Sequence, residues 1–219
     1  MLIQENERRQ GAPDTWIASF LALTGVSIAS GFAGMALLDR AGEELERQFG
    51  GRVNELEGEL AELAREGRIA RGINAMQEAR EEKDHRQRHA YYEQAIALFR
   101  GVLVDPEATE DDRVRVLGNL ARAEKRVGQI AEAKGHTEER IALRPADDLA
   151  IYNLACYTWL LHGEDSIDEV LALLSRCEEL VPGSVVEHAD HDEDFKALIL
   201  SAEYQRWKEA ILRNRPQSD

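Results

Sequence analysis

Aromatic residues make up only 6% of this 219-residue chain, cysteine occurs twice, proline five times, and no excess of positive charge is present. Each shortage closes off a class of protein. With aromatics scarce and no stretch of sustained apolar and polar alternation, strands are not expected. Cys156 and Cys177 are too few for a disulfide framework and lack the paired spacing of a zinc site. A formal charge of −15 opposes a phosphate backbone and argues against nucleic acid as the main partner. No phosphate-cradling Gly-rich loop, nucleophile elbow or His-Glu-x-x-His motif occurs, so neither an enzyme nor a cofactor is expected. What is present is 43% hydrophobic and 32% charged, rich in Ala, Leu, Glu and Arg, which reads as an all-α globular protein.

One long run escapes the general abundance of charge. From Trp16 to Leu38 the sequence WIASFLALTGVSIASGFAGMALL holds no charged residue. As a helix it would span about 34 Å, against roughly 30 Å of bilayer hydrocarbon. A central charge costs roughly 3 kcal/mol on insertion scales, so the lack of any is what a membrane helix requires. Ser27 and Gly31, then Ser30 and Gly34, are each four apart and form a ridge of small residues on which another membrane helix can pack. The mixed charges of Glu5, Glu7, Arg8, Arg9 and Asp14 speak against a cleaved signal peptide. A helix docked into a partner protein is the other reading. Arg8 and Arg9 on one side nearly balance Arg40, Arg47 and Arg52 on the other, so a single-pass membrane protein is expected with its orientation open.

From Asp39 to Arg68 apolar residues fall at Phe49, Val53, Leu56, Leu60 and Leu63, spaced four, three, four, three. That is heptad spacing over barely two heptads, with Gly50-Gly51 interrupting its start. Either a short coiled coil or a lone amphipathic spacer helix satisfies it, and self-association through this spacer or the apolar helix is one option.

Further along, a small or β-branched residue, a second residue four later and then a proline recur three times: Ala95, Phe99, Pro106; Ala133, Thr137, Pro145; Val170, Leu174, Pro182. The prolines are 39 and 37 positions apart, room for two helices and their turns. The spacing predicts helical hairpins. Thr109 and Asp112 form a capping box ahead of Leu117, Leu120 and Val127, and Gly128 ends that helix. A second helix runs through Ile130, Ala133, Ile141 and Leu143. Asp147 caps a helix carrying Ile151, Leu154, Ala155 and Leu161, and Ser166 with Glu169 reads as a second capping box.

Leu117, Leu120-Ala121, Gly128, Ala133 and Pro145 resemble the tetratricopeptide repeat at that family's own spacing, with Thr137 where an aromatic is usual. Ile151, Leu154-Ala155, Val170, Leu174 and Pro182 match with a longer turn, and Tyr92, Ala95 and Phe99 match the second helix of a first unit whose partner near Ile69, Ile73 and Met76 is degenerate. The acidic stretch Ala189 to Asp194 before Phe195 and Leu198 is similar to the closing segment of such proteins, continued by Tyr204, Trp207 and Ile211. The resemblance implies a helical-hairpin solenoid of about three repeats with capping helices. The resulting division is a tail (1–15), a transmembrane helix (16–38), a charged spacer (39–67), a repeat domain (68–213) and a disordered tail (214–219).

The resemblance also implies that the first helices of successive hairpins line a groove for a peptide or a partner helix. Arg115, Asn119, Arg122 and Arg126 share one face of the middle unit, with Lys125 beside them, and Tyr152, Cys156, Trp159 and Leu160 share the next. Arginines pair with carboxylates and aromatics dominate interface hot spots, so an acidic segment with an apolar anchor fits. The expected role is a membrane-anchored adaptor that recruits a protein partner; the alternative is a soluble structural subunit. Leu149 and Asn153 stand where a carboxylate clamp needs basic residues. A weak metal candidate, His188, His191 and Asp192, requires one continuous helix.

Overall fold

The computed structural model describes residues 32–214, and side chains from Asp39 onward. The described residues are all-helical, without strands. The elements are α1 (Phe32–Glu81), α2 (His85–Leu103), α3 (Glu110–Arg126), α4 (Ile130–Leu143), α5 (Asp148–His162), α6 (Ile167–Leu180), α7 (Val185–His191) and α8 (Ala202–Asn214). Short 3-10 turns cover Gly163–Ser166, Glu193–Phe195 and Leu198–Leu200. By packing, the chain divides between Ala61 and Glu62.

In the first unit only the backbone of residues 32–38 and the helix beyond them are described. The apolar segment 16–38 therefore lies outside the described residues for all but the start of α1, and so do Ser27, Ser30 and Gly31 of the small-residue ridge, while Gly34 falls in that start. No helix among the described residues is long and apolar enough to cross a membrane. The expected interruption at Gly50-Gly51 is absent, since α1 runs through both. Glycine lowers helix stability by about 1 kcal/mol against Ala but keeps its backbone hydrogen bonds, so it weakens this helix without breaking it.

In the second unit, each helix from α3 to α6 packs on its neighbours in sequence, with α2 on α3. Two apolar cores result. The first gathers Ile69, Met76 and Ala79 of α1, Tyr92, Ile96, Phe99 and Val102 of α2, and Val116, Leu120 and Ala123 of α3. The second gathers Ala121, Ala133, Ile151, Ala155, Tyr157, Trp159, Val170 and Leu174, closed by Phe195, Leu198 and Tyr204. Because α3 feeds Leu120 to one core and Ala121 to the other, it is buried on both sides, which a helix between two layers must be.

The sequence pattern failed on the buried stripe of α1. Ile73 is exposed, and the buried positions are Ile69, Met76 and Ala79 with Gly72 between them. A Cβ on Gly72 would stand 2.5 Å from the Phe99 ring, so the glycine is a socket and Phe99 supplies the missing volume. That is why this helix looked degenerate.

Most helix ends obey local chemistry. Thr109 and Asp112 close a capping box at α3, with both hydrogen bonds at 3.1 Å. Asp147 accepts from the Ala150 amide at 3.0 Å to start α5, and Gly128 and Gly163 take positive φ just past α3 and α5. The expected box at Ser166 does not form. Its hydroxyl donates instead to the Gly163 and Thr158 carbonyls, because a 3-10 turn precedes α6 and satisfies the first amides.

Candidate functional site

Two side chains tie the middle hairpin to the next helix before any groove can form. Gly118 on α3 admits the Arg140 guanidinium, which a Cβ there would displace. Arg140 then makes a two-pronged ion pair with Asp147, at 2.8 Å and 2.7 Å, holding the residue that caps α5. One arginine of α4 thereby passes over a glycine of α3 to reach the residue that caps α5.

Beside them opens a cavity of about 1180 Å³, lined by Lys125 and Arg126 of α3, Asp148, Leu149 and Tyr152 of α5, and His188, His191, Asp192 and Asp194 from the acidic segment. Its floor is an internal network. The Tyr152 hydroxyl donates to Asp192 Oδ2 at 3.0 Å, and the Cys156 thiol donates to the same oxygen at 3.7 Å. Lys125 pairs with Asp194, and Asp192 Oδ1 accepts from the Asp194 amide at 2.9 Å. Burial, then the neighbouring Asp192, pushes the Cys156 thiol far above its usual range, so it is a protonated donor and not a nucleophile. Burial also drives the Tyr152 phenol upward. Cys177, buried near Asp148, is pushed up to about 12.

A second cavity of about 600 Å³ shares Arg126 with the first. Arg80 of α1 and His85, Arg88, His89 and Tyr92 of α2 complete its wall. Among the described residues no carboxylate lines it, although acidic residues outnumber basic ones 42 to 27 in the chain. The carboxylate of Asp84, outside this wall, caps α2 by accepting from the Arg86 and Gln87 amides at 2.9 Å, and Arg88 donates to the Glu82 carbonyl at 2.9 Å and 2.6 Å, so Arg80, His85, His89 and Arg126 present the remaining donors. Such a cavity favours anionic groups.

Of the residues expected to line a groove, Lys125, Arg126 and Tyr152 come together at the first cavity, with Cys156 hydrogen-bonded to its wall residue Asp192. Arg115 is drawn off to Glu66, with hydrogen bonds of 2.8 Å and 2.7 Å. Asn119 donates to the Arg115 carbonyl, and Arg122 donates to Asn119 at 2.6 Å and to the Gly118 carbonyl at 3.3 Å. Trp159 is buried in the second core, while Leu160 is partly exposed but lines neither cavity. Arg80 and Arg88 were missed by the sequence reading. They lie on two helices that meet in the first core, and no periodicity along the chain joins them.

The metal candidate is also rearranged. His188 and His191 end on α7, but Asp192 leaves the helix as its C-terminal cap. His191 Nδ1 lies 2.8 Å from the Glu187 carbonyl, and the His188 ring stands edge-on to Tyr152. Among the described residues the ligand-type atoms that do cluster, within 4.8 Å, belong to Cys156, Asp192 and Asp194. Lys125 pairs with Asp194, and Asp192 accepts from the Tyr152 hydroxyl and the protonated Cys156 thiol, so the chemistry present is a hydrogen-bonded anchor for the acidic segment. Compared with protein-family models and with curated proteins, the chain matches none.

Proposed function

We propose that the protein is an adaptor of the tetratricopeptide type, held at a membrane by residues 16–38, that captures the acidic segment of a partner across Arg126. The observation that carries this reading is the pair of cavities sharing Arg126, one of them walled by basic side chains without a carboxylate. Helical hairpins with Leu117, Leu120-Ala121, Gly128, Ala133 and Pro145 at the family spacing, and Phe195 sealing the last core, support the repeat assignment. Leu149 and Tyr152, at the rim of the larger cavity, supply an apolar contact for one anchor side chain.

Arg126 is exposed and makes no hydrogen bond or ion pair among the described residues, so it is free for a ligand. The full chain in detergent, titrated with a fluorescent glutamate-rich peptide bearing one leucine, tests the groove. Arg126→Glu should weaken retention about tenfold or more, the loss of a charge-assisted hydrogen bond worth ~1.5–3 kcal/mol plus repulsion. Arg122 is a poor choice for this test, since it holds Asn119 and Gly118. Equal binding by the variant removes the groove from the reading. Complete release of the expressed chain from membranes by alkaline wash removes the anchor.

A further inference from the structure

Six large apolar side chains of α1, Leu45, Phe49, Val53, Leu56, Leu60 and Leu63, are between 50% and 68% exposed. Every described side chain from Asp39 to Leu60 is exposed, so no other described residue covers the stripe. Gly42, Gly50, Gly51 and Gly58 lie in the same stretch with open space around them. A helical stretch with these four glycines and an uncovered apolar stripe is a poor helix in water by itself. Something must cover it.

We infer that α1 pairs with α1 of a second copy of this chain as a parallel, in-register two-stranded coiled coil through residues 49–63. The heptad assignment places Val53 and Leu60 at a, and Phe49, Leu56 and Leu63 at d. A β-branched residue at one a position with leucine at two of the three d positions favours two strands. Gly50, at the e position beside Phe49, leaves room for the largest side chain of the seam.

Charge selects the direction. In the parallel pair, Arg52 at g faces Glu57 at e of the second copy, and symmetry makes that contact twice. The other flanking pairs, Leu45 with Gly50 and Glu59 with Ala64, bring no like charges together. The antiparallel register that stacks the same four residues from Val53 to Leu63 sets Glu57 against its own counterpart and Glu59 against its own, which repels. A lipid surface is disfavoured as the cover, because Glu44, Glu46, Glu55, Glu57 and Glu59 crowd the helix and anionic headgroups repel them.

Two heptads hold a pair weakly, so the association is dynamic unless the chains are also brought together upstream. On the adaptor reading, the pair carries two Arg126 cavities and retains a partner with two acidic segments far longer than one copy does. The pairing itself does not depend on that reading.

Cysteine cross-linking of the full chain in detergent tests it, with the wild type as control because Cys156 and Cys177 are buried. Leu56→Cys at a d position should oxidise to a covalent dimer about tenfold more than Glu55→Cys on the outer face. Adding Arg52→Glu or Glu57→Arg to Leu56→Cys should lower the dimer several-fold, and the double exchange of both charges should restore it. Equal cross-linking at 55 and 56 overturns the proposal, as does a charge exchange that fails to rescue. Leu56→Cys that stays monomeric and becomes shielded from maleimide only on adding anionic vesicles assigns the stripe to lipid and also overturns it. Arg126→Glu should leave the cross-linking unchanged, so failure of the groove and failure of the pairing are read separately.

Discussion

Leu56 on α1 and Leu120 on α3 sit in the same kind of pattern, apolar residues three and four apart among glutamates and arginines, and they meet opposite fates. Leu56 is 55% exposed and Leu120 is fully buried. Periodicity therefore specifies a helix with an apolar face, but burial of that face needs a neighbour at the right place. The hairpins carry their neighbours in the same chain, a turn away. The stripe of α1 has none among the described residues, and this difference separates a core from an interface.

Breaking the covered side should have the largest effect. Phe195→Ala removes a fully buried ring from the second core and should destabilise the stack by about 3–5 kcal/mol. Thermal unfolding followed by circular dichroism checks this, and a change below about 1 kcal/mol would mean that the acidic segment does not seal the stack.

Next is the ion pair at the start of α3. Arg65 lies buried against Asp112 at 2.9 Å, with Arg68 reaching Asp105 at 3.1 Å. Asp112→Ala leaves the Arg65 guanidinium buried without its main partner and should cost about 3 kcal/mol. Burial alone would raise the Asp112 carboxyl. Hydrogen bonds from the Thr109 side chain and backbone, with the Arg65 charge, outweigh it and hold the carboxyl below 3.8. The stability this pairing contributes is therefore present above about pH 4 and lost as pH falls through the lowered value. Acid unfolding curves of wild type and Asp112→Asn should converge at low pH.

A smaller effect of opposite sign is expected at His136. Its imidazole is 2.7 Å from the fully buried Glu124, which also binds Arg100 at 2.8 Å. The Glu124 hydrogen bond raises the His136 value above 6.5, against partial burial and the Arg100 charge, with Glu139 adding to the rise. The resulting stability is complete below about pH 6.5 and fades as pH rises through the raised value. His136→Gln should flatten that part of the profile in denaturant titrations, and an unchanged slope would place the titration elsewhere.

The smallest effect sharpens the contrast. Leu56→Ala should change the stability of the monomeric stack by less than about 0.5 kcal/mol, since an exposed side chain removes no packing there. A loss comparable to Phe195→Ala in dilute protein would show that the stripe is covered within one chain.

Helix ends and hairpin breaks were legible at Thr109, Gly128, Asp147, Gly163 and Pro182 because each rests on a hydrogen bond or a backbone angle a few residues away. Ser166 was misread because two local options competed for one hydroxyl, and the 3-10 turn won. Lys125, Arg126 and Tyr152, which helix spacing assigns to neighbouring faces, do line one cavity. Arg115 and Trp159 do not, since their partners, Glu66 and the second core, lie far away in sequence or in another layer.

By itself the sequence determined the helical class, the turns and the alternating apolar faces, because propensity, capping and periodicity act within about four residues. It also determined the uncharged run from Trp16 to Leu38, whose composition needs no fold to be read. Only the tertiary structure decided that Gly72 receives Phe99, that Gly118 passes Arg140 to Asp147, and that Arg80, Arg88 and Arg126 border one cavity. Those outcomes depend on which faces meet across distant segments, and steric fit and charge at such contacts are set by packing, not by any pattern along the chain.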